Sequence, residues 1–145
     1  MPDLWVANDH AAFAIKEEVA AQAVALGWTV RDLGTHAGHS VDYPDMAAAL
    51  AQAYDGADPH RGLLICGSGI GISIAANRHT HLRAALCHDV TSAILSRQHN
   101  DANVLCLGAR LVGIETAKGA LIAFLGTEFE GGRHARRVAK LAKLA

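Results

Sequence analysis

Short apolar runs alternate with longer stretches of helical spacing along the chain. Residues 4–7 form the first run, and Asn8, Asp9 and His10 close it. An alanine-rich stretch follows, whose apolar positions Phe13, Val19, Val24 and Leu26 suit a helix that Gly27 ends. Residues 29–33 read as a second strand and 34–43 as a loop. Pro44 fits the first turn of a helix running to about Tyr54, with Ala47, Leu50 and Ala51 on one face. After loop residues 55–61, a third strand ends at Cys66 and a glycine-rich loop leads into a helix reaching about Asn77. Residues 83–87 read as a fourth strand, with Asp89 as N-cap of a helix over 90–99. A fifth strand over 104–107 and a helix over 113–125 follow. The Gly131-Gly132 break then opens a basic helix.

Strands alternating with helices imply right-handed parallel βαβ units and a sheet covered on both faces. The expected fold is α/β, a five-stranded parallel doubly wound sheet in the order 2-1-3-4-5, with ligands at the carboxyl ends of the strands. At 145 residues the chain is expected to form one domain, residues 1–145, without internal repeat or linker.

The segment CGSGIG at 66–71 concentrates the candidate chemistry. Glycine at every second position permits positive φ and close approach of a ligand to the backbone. The first amides of the following helix lack internal partners and lie at its positive end, where anions and developing oxyanions are favoured. A thiol beside such amides favours the thiolate, a base or nucleophile; the competing reading makes Cys66 a small buried strand residue. The segment departs from GxGxxG and lacks GK[ST], which excludes the dinucleotide fingerprint and the P-loop. Asp9 and His10 follow the first strand and Arg110 the fifth, so three loops converge on one sheet edge. His99 breaks this pattern. A helix of about ten residues carries it roughly 15 Å from that edge. Either it caps its own helix as a cation, or a second copy of the chain brings it to Cys66.

A net charge of −1 gives no reason to expect nucleic acid or a membrane surface as partner. Three cysteines without a CxxC pair form no disulfide framework, and Cys87 and Cys106 read as buried strand residues. With no signal-like start and no long apolar run, a reduced, cytoplasmic protein is expected. The pairs His36/His39 and His79/His81 lack HExxH or acidic company, so no metal is expected at them. Arg133 and Arg137, four apart, share a helical face suited to a phosphate, while Val138 and Leu141 form an apolar stripe for docking; the alternative is a solvated basic tail.

Taken together, NDHAAFAIK at 8–16, DYP at 42–44, CGSGIGISIAANR at 66–78, SRQHNDANVLCLGARLVG at 96–113 and FEGGRHARRVAK at 129–140 resemble the ribose-5-phosphate isomerase B family, which includes galactose-6-phosphate and allose-6-phosphate isomerases. The resemblance implies a three-layer α/β/α sandwich and a homodimer or dimer of dimers with shared sites. It also implies a sugar phosphate as substrate and no metal or organic cofactor. Carried over, Cys66 is the base moving a proton between C1 and C2, and His99 the acid that opens the furanose ring. Asp9 and His10 contact the sugar and its phosphate end, Gly67, Ser68, Gly69 and Ile70 form the amide cradle, and Asn100 contacts ligand beside the histidine. Arg110, Arg133 and Arg137 are phosphate ligands. Gly71 extends the cradle and Ser68, where many members carry threonine, is a proton carrier. One branch of the family uses a glutamate at the place of Ile72 as base, a role isoleucine cannot fill. Expected alternatives are the same chemistry on a tetrose or hexose phosphate, with loops 36–42 and 88–91 setting chain length, and a non-catalytic phosphate- or nucleotide-binding module.

Overall fold

The computed structural model describes residues 1–35 and 40–144. In chain order the elements are β1 (Asp3–Asn8), a 3-10 turn (His10–Ala12), α1 (Phe13–Ala25), β2 (Thr29–Asp32), α2 (Tyr43–Ala53), β3 (Arg61–Cys66), α3 (Ile70–Ala76), β4 (Ala84–Leu86), α4 (Val90–Asn100), β5 (Val104–Gly108), α5 (Ile114–Gly126) and α6 (Arg133–Leu141).

The strands pair in parallel throughout, in the order β2-β1-β3-β5-β4. This corrects the expected 2-1-3-4-5. All five residues of β5 are buried, whereas β4 has three residues, each only partly buried. The strand with the longer apolar run takes the interior place beside β3, and the short one goes to the edge. There the Asn77 side chain takes up both the N–H and the C=O of Ala84, at 2.8 and 3.0 Å, which blunts that edge.

Alternation along the strands divides the core in two. Leu63 and Ile65 of β3, with Leu105 and Leu107 of β5, face α1, α4 and α5; Phe124, Leu121 and Val19 fill that side. Leu64 and Cys66, with Val104 and Cys106, face α2 and α3, where Leu50, Tyr54 and Ile72 pack. The result is the three-layer α/β/α sandwich.

Two burial patterns differ from the expected ones. On α1, Phe13, Val24 and Leu26 are exposed, and the buried positions are Lys16, Val19 and Ala23. Lys16 is tolerated inside because its ammonium meets Asp32 at 3.0 Å and the Thr35 carbonyl at 3.0 Å. On α6, Val138 is partly buried and Leu141 is 44% exposed, so the expected docking stripe is not covered within the chain; its buried residue is His134. Asp89 caps α4 as expected, accepting the Ser92 N–H at 2.6 Å. Cys106 lies inside β5 and Cys87 one residue past β4, both buried. The pair His36/His39 and most of the 36–42 loop lie outside the described residues.

Gly69 seats the loop after β3. Its φ is +77°, and an added Cβ would stand 2.6 Å from Leu86 Cδ1, 2.9 Å from the Leu107 carbonyl carbon and 3.0 Å from the Gly108 nitrogen. Two of those neighbours are backbone and cannot turn aside. Gly69→Ala is therefore expected to destabilise the protein by about 2–4 kcal/mol, combining left-handed strain with overpacking. Urea unfolding at constant m-value checks this; a loss under about 0.5 kcal/mol would mean the loop has room.

Candidate active site

The carboxyl ends of β1, β3 and β5 open on one cleft of about 310 Å3, lined by Asp9, Tyr43, Cys66, Gly67, Ser68, Gly71, Arg110 and Leu111. Each wall follows from local chain geometry. Asp9 turns its carboxylate back onto the Ala11 N–H at 2.9 Å, capping the turn after β1. The loop after β3 is anchored on the far side by β5. The Ala109 N–H donates to the Cys66 carbonyl and the Arg110 N–H to the Gly67 carbonyl, both at 2.9 Å. At Gly108 an added Cβ would collide with the Ser68 backbone carbonyl, so the absence of a side chain there lets the loop lie against β5.

Cys66 is 4% exposed, yet it is among the residues that line the cleft. The Gly69 N–H donates to its sulfur at 3.1 Å, placing a backbone donor where negative charge would reside. Burial pushes the thiols of Cys87 and Cys106 up, which keeps them protonated. Ser68 Oγ accepts the Ile70 N–H at 3.1 Å. The amides of Gly69 and Ile70 are thus directed at side chains of their own loop, while Gly67 and Gly71, which have only backbone to offer, line the cleft with Ser68. Ile72, one residue on, is fully buried beneath it.

The Arg110 guanidinium lies over Gly67, where a Cβ would approach it to 3.3 Å. His10 stands at the same edge, its Nδ1 accepting the Val41 N–H at 3.3 Å. Tyr43 is the residue that the reading of individual positions passed over. Its ring packs on Gly71, 2.6 Å from where a Cβ would be, and it walls the cleft opposite Arg110. The signal was the DYP triplet, in which tyrosine opens α2 just before the proline of its first turn. Across from it, His88 of the 88–91 loop reaches the Ser68 carbonyl at 3.4 Å.

His99, Asn100, Arg133 and Arg137 do not line this cleft. α4 runs back along the sheet, and β5 begins four residues after Asn100 at the amino edge, where Val104 pairs with Gly62; Cys66 pairs with Gly108 at the other edge. His99 is half-exposed there and stacks on His134 of α6, ring centroids 4.4 Å apart. Desolvation, together with His99 and Arg133 nearby, holds the His134 imidazole below its ordinary range. Asn100 lines a separate groove of about 410 Å3 beside β4, with Arg83, Leu141 and Leu144. Arg133 and Arg137 are exposed on α6. The candidate residues therefore fall into two groups on opposite edges of the sheet. Of the remaining histidines, His79 and His81 pack edge to face at 6.3 Å, and His81 Nε2 meets the Ala51 carbonyl at 2.9 Å.

Comparison with known proteins gives a consistent result. The family model described as Ribose/Galactose Isomerase matches residues 4–141. Ribose-5-phosphate isomerase B of Escherichia coli is 49% identical over 130 residues, covering 90% of this chain and 87% of that protein. D-erythrulose-4-phosphate isomerase of Pectobacterium atrosepticum is 41% identical over 142 residues, covering 97% of this chain and 93% of that protein. The solved structure of ribose 5-phosphate isomerase B from Anaplasma phagocytophilum superposes with a TM-score of 0.91 at 46% identity, covering 97% of each chain.

Proposed function

The chain belongs to the Ribose/Galactose Isomerase family, and on that premise we propose that it is an aldose-ketose isomerase interconverting ribose 5-phosphate and ribulose 5-phosphate through ring opening and an enediolate. The observation that carries this reading is Cys66, lining one cleft together with Asp9, Arg110 and the backbone of Gly67 and Gly71.

Interconversion removes a proton from the carbon beside a carbonyl. Cys66 takes that proton, assisted by the Gly69 N–H on its sulfur. The enediolate that results lies against the backbone of Gly67 and Gly71, where each lost donor in comparable sites costs roughly 3 kcal/mol of transition-state stabilisation. The Ser68 hydroxyl carries the proton between the two oxygens. Arg110 draws the phosphate to the cleft as a guanidinium fork, and Asp9, His10 and Tyr43 hold the sugar. The cyclic sugar has no free carbonyl, so an acid-base group must open it first; imidazole titrates in the required range and His99 is assigned that step.

His99 stands at the opposite edge from its own Cys66, so a second copy supplies it, and with it Asn100, Arg133 and Arg137. The working unit is a homodimer with shared sites, alone or as a dimer of dimers, and requires no cofactor. Three free thiols fit a reducing, cytoplasmic setting, and no described helix is long and apolar enough to cross a membrane.

A tetrose phosphate is the second reading of substrate, favoured by the 41% identity to a D-erythrulose-4-phosphate isomerase. Four-, five- and six-carbon aldose phosphates, assayed side by side, are expected to rank ribose 5-phosphate first by kcat/KM. A preference of tenfold or more for a tetrose or hexose phosphate would replace the named substrate.

Cys66→Ala is expected to lower kcat by about 10^2- to 10^4-fold, while a competitive sugar-phosphate inhibitor still binds. Near-normal turnover would remove Cys66 as base; loss of inhibitor binding as well would leave the thiol structural. Mixing inactive Cys66→Ala with inactive His99→Ala is expected to restore activity through hybrid dimers carrying one intact site. No recovery after demonstrated subunit exchange would exclude the shared arrangement.

A further inference from the structure

Glu130 and His134 have no part in the chemistry proposed above, yet both converge on His99. The Glu130 N–H donates to the Gln98 carbonyl at 3.1 Å, pinning the segment before α6 against the end of α4. One Glu130 carboxylate oxygen then stands 3.8 Å from His134 Nε2 and 3.9 Å from His99 Nε2. Those separations are too long for hydrogen bonds, and the three ligand atoms lie within 4.8 Å of one another.

Two imidazoles and one carboxylate are a donor set that Zn2+ accepts in open, three-ligand sites, with bonds of about 2.0–2.2 Å. The edge of such a tetrahedron is about 3.3 Å, so the oxygen-to-nitrogen gaps need to close by roughly half an ångström. The stacked rings, 17° from parallel, must also turn so that their lone pairs meet. The parts that must move are free to do so: the side chains of His99 and Glu130 are 40% and 52% exposed, whereas that of His134 is 11% exposed and fixes one corner. A neutral imidazole is the ligand form, and the environment of His134 favours it. Arg133 and Arg137 oppose a cation here, and the Glu130 carboxylate counters them in part. Nitrogen donors disfavour Mg2+ and Ca2+.

We propose that His99, Glu130 and His134 form a Zn2+ site, water filling the fourth position, and that the bound ion reversibly inhibits the enzyme by occupying His99 Nε2. The inhibition rests on the role proposed for His99; the binding does not.

Isothermal titration of the full-length protein with Zn2+, with the Co2+ absorption spectrum as a reporter of geometry, tests both parts. The wild type is expected to take one ion per chain with a tetrahedral Co2+ spectrum. Glu130→Gln and His134→Asn, verified as folded by circular dichroism, are expected to bind at least tenfold more weakly. Zn2+ is expected to inhibit turnover, EDTA to restore it, and Glu130→Gln to need at least tenfold more ion for the same inhibition. Equal affinity in wild type and both variants, no binding at all, or binding abolished by Cys66→Ala but not by Glu130→Gln would overturn the site. Binding at this site without inhibition would overturn the regulatory part and leave the isomerase assignment to the Cys66→Ala experiment.

Discussion

The approach of two backbones without side chains between them is the constraint on which the cleft depends. The carbonyl of Ser68 lies where a Cβ on Gly108 would be, and Gly69 adopts positive φ against Leu107 and Gly108. This contact brings the loop after β3 down onto β5, and the Ala109 and Arg110 amides then lock it through the Cys66 and Gly67 carbonyls. Only with the loop seated does the Gly69 N–H reach the Cys66 sulfur and the Arg110 guanidinium cover Gly67. The thiol, the glycine backbone and the cation are thus products of one packing event rather than three separate placements.

Much of this was legible in the chain. Apolar runs located β1, β3 and β5 because a parallel sheet covered on both faces makes its inner strands continuously apolar, whereas the edge strand β2, TVRD, carries two exposed polar residues. The glycine spacing located the loop, since no other residue tolerates such backbone proximity. Strand order was not legible, because periodicity reports which segments are strands and says little about which neighbour wins a place. The decisive quantity was the number of buried residues, five in β5 against three half-buried in β4. The face of α1 misled for a related reason. Alanine and the stem of Lys16 occupy the interior, leaving Phe13 and Val24 outside, and an ion pair with Asp32 compensates for the ammonium.

The candidate site divides in the same way. Asp9, Cys66, Ser68 and Arg110 sit at the ends of strands, so locating the strands located them. The separation of His99 followed from helix rise alone. Tyr43 was hidden because its contribution is a ring laid on a glycine, a contact with no spacing rule. The convergence of Glu130 and His134 on His99 was hidden too, since it is assembled by a backbone hydrogen bond between residues 32 apart in sequence.

Arg97 draws these distant segments together. It is 2% exposed and its guanidinium spans the Asp101 carboxylate, the Ala102 carbonyl and the Thr127 carbonyl, at 2.9, 2.6 and 3.1 Å, with the Phe124 ring beside it. Three hydrogen bonds from Nε and Nη1 of one planar frame act as a rivet through the end of α4, the turn into β5 and the exit from α5. The Glu130 N–H on the Gln98 carbonyl continues this tie, so the segment leading into the last helix starts from a point fixed to α4. Damage at this deep, ligand-free position would surface as poor alignment of groups far away.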